Sequence, residues 1–440
     1  MKTSFKITSV LCLAVALCLS AVGCNSCGPS GEGDKASSAG AAAGLKEVSE
    51  TTDTSSPSLP KPGTEESSSG LPVPSGLESR VQLWKTVYAD YDGSHLVIYN
   101  RRWPGVIYEV IRDLPGRRSR ALTRARSRLY TLDRISKNFD EPEAEIKKSY
   151  DGPALLQLYA KFEGIENKDK FRISAKLSNL AVARGRRDGL IRAYRRALPY
   201  LPAMEDIFRE RGLPPSLTRL VFVESMFERD AASGKGAVGV WQILESSGRP
   251  YLVMNRTIDE RRDPLKSTRA AARILEKNYR TLGDWPLAVT AYNAGLARVI
   301  NACRHTDSSS LPEVLENYDH GAFGEAVENF YARLMGILRA EKKLGLPKSA
   351  GPPPQVNPLD YALVELPRGY PLSDLSETLG MNAHLLVRFN PSWTEAVESE
   401  KRLISRDYLL RVPDGSENSV RSALGLSGKG GATTVSSSGP

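Results

Sequence analysis

A carboxylate written into a core position restricts a chain more than any apolar pattern does, because it must be neutralised, paired or used. The run LVFVESMF, residues 220–227, holds such a group, Glu224. Pro214 and Pro215 suit a helix start, where a missing N–H does no harm. From there Leu217, Leu220, Val221 and Glu224 stand at i, i+3, i+4 and i+7, which is one face of a helix. Glu224 therefore falls on the face that the pattern assigns to the core. Burial without a cation raises a carboxyl pKa. A carboxylic acid that keeps its proton near neutral pH is what a general acid requires. The alternative is a structural Glu at a helix end, capped or paired with Arg219 or Arg229. Glu228, one turn on, reads as solvent-facing.

The sequence that follows adds groups suited to sugars. SGKGAVGVWQI places Gly234, Gly236 and Gly239 in a short run, and glycines permit close backbone approach. Trp241 and Gln242 come next, offering an apolar platform and an amide that donates and accepts. STRAAARILEKNYRTLG is an amphipathic helix with Ala271, Ile274, Leu275, Tyr279 and Leu282 on its apolar face. DWPLAVTAYNAG begins a helix with Asp284 as cap and Pro286 in the first turn, and stops at Gly295 after Tyr292 and Asn293. Each of these residues also has an ordinary packing reading.

At 440 residues the chain is long enough for two or three domains. It opens on MKTSFKITSVLCLAVALCLSAVGC, a basic start, an apolar centre and small residues before a cut, the pattern of a secretory leader over residues 1–23. The end, Ala21 to Cys24, resembles a bacterial lipobox, which implies cleavage before Cys24 and acylation of its thiol. Asn25 after it implies sorting to the outer membrane. Residues 24–79 are rich in Gly, Ser, Ala, Thr, Pro and Glu without hydrophobic period and read as a disordered tether. Of the five cysteines, two leave with the leader and none has a partner at metal-ligand spacing; the four histidines are scattered. No metal and no cofactor is expected. A net charge of +9 is compatible with an anionic partner but selects none.

Residues 80–200 read as a helical N-terminal region, with Leu190, Ile191, Tyr194, Leu198 and Leu201 along one face. A central block covers 201–345, and a Pro/Gly-rich linker covers 346–358. A small module follows over 359–416, with YALVEL and YLLRVP as strands around two short helices. The tail 417–440 reads as flexible.

Taken in order, GLPPSLTRLVFVESMF, ASGKGAVGVWQI, DERRDPLKSTRAAARIL and GDWPLAVTAYNAG closely resemble the goose-type lysozyme and soluble lytic transglycosylase (SLT) superfamily, and within it the membrane-bound lytic murein transglycosylase D group. The resemblance covers about residues 200–340. It implies a mainly α protein with a lysozyme-like catalytic domain and cleavage of peptidoglycan strands. Catalysis would fall to Glu224, and glycan contacts to Ser225, Gln242, Tyr292, Asn293 and, from ENFYARLMG, Tyr331. At Tyr331 the family spacing is not kept, because Asn329 stands where a Thr is usual and the gap is shorter. The βααβ module resembles LysM, a binder of N-acetylglucosamine-containing glycans, although RGYPL replaces the usual Gly-Asp-Thr-Leu turn and the stretch Pro391–Tyr408 is long. The partners implied are glycan strands and, through the lipid, a membrane, with no nucleic acid. Two other readings stand beside this one: a hydrolase of the same fold, with Glu228, Asp230 or Asp259 as second carboxylate, and a non-catalytic peptidoglycan-binding lipoprotein.

Overall fold

The computed structural model describes residues 70–318, 323–351 and 357–426. The leader, Cys24, the tether up to residue 69, the middle of the linker and the tail beyond residue 426 lie outside the described residues. Among the described residues no helix is long and apolar enough to cross a membrane. The architecture is mainly α, with one three-stranded and one two-stranded sheet.

Order begins before the expected end of the tether. Leu71 and Leu77 are buried in the main core, and a helix starts at Glu78. This Glu78–Ala89 helix crosses the Phe330–Leu344 helix at Gly336. A Cβ at Gly336 would stand 2.7 Å from the Trp84 Cβ, so only glycine permits that approach.

The expectation of an all-helical region over 80–200 is corrected by a sheet. β1 (His95–Asn100) lies between β2 (Ile107–Arg112) and β3 (Leu180–Arg184), antiparallel to both, with Val97 opposite Val110 and Ala183. Five of the six residues of HLVIYN are buried. A central strand covered on both faces reads as one apolar run and lacks the alternation that announces a half-exposed strand. The helix Arg117–Asn138 packs with Leu155, Phe162 and Phe171 into a satellite core beside this sheet.

No break in packing marks the boundary at 200. Val87, Leu190 and Tyr194 from the N-terminal region share one core with Phe222, Leu334 and Ile337. The Tyr194 and Phe222 rings stack with centroids 4.2 Å apart. The central block is then a set of capped helices. Asp263 accepts from the N–H groups of Leu265 and Lys266 to open Pro264–Leu282, and Asp284 accepts from Leu287 to open Trp285–Ala294. The start of the linker belongs to the same body. Leu346 and Ala350 are buried, and Arg195 donates to the Ala350 carbonyl at 2.8 Å.

The C-terminal module pairs β4 (Tyr361–Glu365) with β5 (Leu409–Pro413), antiparallel, around helices Leu372–Leu379, Ala383–Phe389 and Glu395–Glu398. It does not end at 416. A further helix, Glu417–Ala423, buries Val420 against the strands, which corrects the expected flexible tail for residues 417–426. The module also has more than two helices, because the long stretch Pro391–Tyr408 contains one of its own.

That long stretch docks on the central block. Asp259 N donates to the Ser392 carbonyl at 2.7 Å, and Thr394 N donates to the Thr257 carbonyl at 3.1 Å. Ile258 and Trp393 form an antiparallel bridge between these bonds, with Trp393 wholly buried. Deeper in, Arg411 Nη1 lies 2.7 Å from Asp263 Oδ2, an ion pair not aligned as a hydrogen bond. Burial works against the Asp263 carboxylate, but Arg411 and the N–H groups of Lys266 and Leu265 outweigh it and hold its pKa below the ordinary value.

Candidate active site

The expected single helix from Pro214 to Glu224 is in two pieces. Pro215–Arg219 is a 3-10 turn, and the α-helix proper is Leu220–Glu224, with Leu220, Val221 and Phe222 buried. Glu224 is its last residue. The backbone then turns through two left-handed non-glycine residues, Met226 (φ 53°) and Phe227 (φ 58°). Such residues cost about 1–3 kcal/mol each and persist only where the surroundings impose them. Arg196, from the N-terminal region, imposes them here. Its guanidinium donates to the carbonyls of Met226 and Phe227 and lies 2.8 Å from the exposed Glu228 carboxylate.

Glu224 finds neither of the cations suggested by the sequence. Arg219 is held by Glu205 and Glu341, and Arg229 lies by Asp230. The residue is half-buried as a whole, yet its carboxyl is desolvated, and burial pushes its pKa up to about 8. The positive charge of Arg333 pulls the other way and only partly offsets this. Arg333 is a site residue that sequence reasoning missed. It comes from the Phe330–Leu344 helix, which packs on Leu220–Glu224, and its guanidinium lies 4.2 Å over the Trp84 ring. Its Nε is buried without a hydrogen-bond partner. The available signal was a lone basic residue in the apolar stretch FYARLMG.

Ser225 is a tie between backbone segments. Its Oγ donates to the Val240 carbonyl at 2.9 Å and accepts from Glu228 N, joining the end of the acid-bearing helix to the glycine loop. In that loop Gly239 (φ 82°) is obligatory, because a Cβ there would lie 1.9 Å from the Arg261 carbonyl oxygen. Gln242 is also left-handed (φ 47°), and both of its amide hydrogens are directed inward, to Gly239 O at 2.9 Å and Ala231 O at 3.1 Å. Its amide oxygen is the group left for a ligand.

Trp241 is not a sugar platform. It is fully buried, lies parallel to Phe208 with centroids 5.8 Å apart, and donates from Nε1 to Thr268 at 2.8 Å. An indole flanked by glycines reads the same in either role, and here the core takes it. Tyr292 donates to the Trp241 carbonyl at 2.8 Å, and its hydroxyl pKa is raised by burial and by the negative charge of Glu224. Asn293 is exposed at the end of the same helix.

Tyr331 stands apart from this group. It is 1% exposed, its hydroxyl donates to the Pro72 carbonyl at 2.5 Å, and the charge felt there is that of Asp284. The structure thus gathers Glu224, Ser225, Gln242, Tyr292 and Arg333 around one helix end and leaves Tyr331 out.

No second carboxylate acts on Glu224 among the described residues. Glu228 is paired with Arg196, Asp230 with Arg262 at 3.3 Å, and Asp259 clamps Arg261 through both oxygens. The arrangement can deliver one proton from a neutral acid and take one back.

Residues 205–312 match the Transglycosylase SLT domain. The membrane-bound lytic murein transglycosylase D of Escherichia coli strain K12 is 41% identical over 126 residues, which are 27% of this chain and 28% of that protein. The protein of the same name from Escherichia coli O6:H1 gives the same figures, so the match spans little more than a quarter of either relative. Among solved structures, a lytic transglycosylase Slt inactive mutant from Pseudomonas aeruginosa aligns with a TM-score of 0.29 and 19% identity, covering 53% of this chain and 37% of that one.

Proposed function

We propose that this chain, which carries a transglycosylase SLT domain over residues 205–312, is a peptidoglycan lytic transglycosylase. Its substrate is the β-1,4 bond between N-acetylmuramic acid and N-acetylglucosamine. The observation that carries the reading is a Glu224 carboxyl that burial desolvates, with no second carboxylate acting on it among the described residues. A glycosidase that uses water or a covalent intermediate works with two carboxylates. A lone acid suits a reaction in which the nucleophile is already part of the substrate.

Glu224 gives its proton to the glycosidic oxygen, and positive charge develops on the muramic ring, eased by the neighbouring acetamido oxygen. The carboxylate so formed takes the proton of the C6 hydroxyl of the same sugar. That hydroxyl closes on C1 and leaves a 1,6-anhydro end. Acid and base are one group in sequence, no water is consumed, and the tethered hydroxyl has the advantage of an intramolecular nucleophile. The Gln242 amide oxygen and Asn293 contact the sugars, Tyr292 lines the site, and Ser225 holds the loop that presents them. Tyr331, seated in the core with its hydroxyl on the Pro72 carbonyl, is left out of this assignment.

The name of the Escherichia coli relatives supports a wall-remodelling role at a membrane. We place the chain in the periplasm, anchored by acyl groups on Cys24 to the outer membrane; replacing Cys24 by Ser should then release it from membrane fractions. The test of the activity is digestion of purified peptidoglycan with mass analysis of the products. Muropeptides lighter by one water than hydrolytic fragments are expected. Fragments carrying that water would make the protein a hydrolase, and no fragments would make it a binding protein.

A further inference from the structure

We infer that the C-terminal module is a positioning element of the active site, with Arg411 as the residue that locks it in place. The inference rests on the proposed role of Gln242 in glycan binding and goes beyond it, by tying a module set behind a Pro/Gly-rich linker to the loop that presents that residue.

The chain of contacts is continuous. Among the described residues the module bonds to the central block along residues 256–263. Thr394 donates to the Thr257 carbonyl from its N–H and to the Arg256 carbonyl from its hydroxyl, and Ser392 accepts from Asp259 N. Trp393 fills the space between these bonds against Ile258. At the inner end Arg411 stands over the Tyr361 ring at 4.7 Å and reaches the buried Asp263 carboxylate. That carboxylate also caps the Pro264–Leu282 helix. The segment is thereby fixed at Arg256, Thr257, Asp259 and Asp263.

The opposite side of the same segment holds the glycine loop. Asp259 grips Arg261 at 2.9 and 2.7 Å, and Arg261 donates from Nη1 to the carbonyls of Gly236 at 2.9 Å and Ile243 at 3.2 Å. These carbonyls bracket Val240, to which Ser225 is tied, and Gln242, which keeps a left-handed backbone. The Arg261 carbonyl rests directly on Gly239. One face of residues 256–263 therefore carries the module and the other carries the loop that presents Gln242. The stretch Pro391–Tyr408, which departs from the LysM pattern by its length, is the part that makes the contact.

A positioning role has a kinetic signature. If the module only stabilises the fold, releasing it lowers the amount of folded enzyme and hence apparent kcat, with KM unchanged. If it positions the loop, release weakens glycan binding and raises KM. In the full-length protein, Arg411→Met removes the cation. Thr394→Pro removes the N–H and hydroxyl bonds without burying an unpaired charge, so it serves where Arg411→Met fails to fold. Both should raise KM for soluble glycan strands about tenfold while kcat stays within about threefold, and Arg411→Lys should return KM to within about threefold of the parent. Limited proteolysis should release the module more readily from the first two variants. Unchanged KM in both would overturn the inference, whether or not the module is released. A parent protein that yields no anhydromuropeptides would instead overturn the proposed function, and direct binding of glycan fragments to the same variants keeps the positioning test readable in that event.

Discussion

Glu224 and Asp263 are two acids at opposite ends of helices, both turned away from water, and they have opposite fates. Glu224 ends the Leu220–Glu224 helix, and the cation that acts on it among the described residues, Arg333, is stacked on Trp84. Its proton is held to about pH 8. Asp263 precedes the Pro264–Leu282 helix, accepts two N–H bonds from the first turn, and meets Arg411. Its charge is held instead. Burial is common to both, so burial does not decide what an interior acid does. The hydrogen bonds and cations offered by its position on a helix decide it. An acid left without them is available for proton transfer, and an acid supplied with them becomes a fastening.

The contrast breaks most visibly at Glu224→Gln. The amide keeps the shape but has no proton to give, so anhydro product formation should fall about a thousandfold with the fold intact. Near-parental rates would remove Glu224 from the mechanism. At the other acid, Arg411→Met leaves a buried carboxylate unpaired and should cost about 3–5 kcal/mol at neutral pH, read by denaturant unfolding. The sign of its pH dependence is fixed. In the parent, the depressed Asp263 pKa gives stability that is present above the unfolded value of about 3.9 and lost as pH falls through the folded value. In Arg411→Met that stability is gone, so the gap between the two proteins should close in acid.

A subtler effect sharpens the comparison. The Glu224 pKa is raised, so from about pH 4.5 upward the folded state binds more protons than the unfolded chain, and stability falls as pH rises towards 8. Glu224→Gln should abolish this slope. It should match the parent near pH 4 and exceed it by on the order of 3 kcal/mol above pH 8, allowing for partial exposure. Equal stability at both pH values would mean that Glu224 is not desolvated. The smallest change is expected from Glu228→Gln. It breaks only the exposed pair with Arg196, should cost less than about 0.5 kcal/mol, and should leave turnover within a few fold.

The parts of this site that the sequence announces are those governed by local rules. Spacing places Glu224 on an apolar face, and Asp284, Pro286 and Gly295 mark the ends of the helix that carries Tyr292. The motif order carries the resemblance over about residues 200–340, and residues 205–312 within that stretch match the SLT domain. What stays hidden depends on distant residues. Arg333 reaches Glu224 only because Gly336 lets the Phe330–Leu344 helix close on Glu78–Ala89. Arg411 finds Asp263 across two folded units, and nothing near either residue hints at the other. β1 escapes notice because a doubly covered strand has no alternation to read. The burial of Trp241 and Tyr331 is hidden for a related reason, since an aromatic side chain has the same letter in a core as in a sugar cleft.

The buried Leu71 and the hydrogen bond from Tyr331 to Pro72 have a mechanical meaning. A pull on the chain from the side of residue 70 is met at once by an apolar side chain seated in the main core and by a bond to the Phe330–Leu344 helix. Tension therefore enters the molecule at the Leu71 seat and at the Phe330–Leu344 helix, both within the main core. It does not peel the Glu78–Ala89 helix away turn by turn. The C-terminal module keeps an apolar core of its own, of which the Leu71 seat is no part.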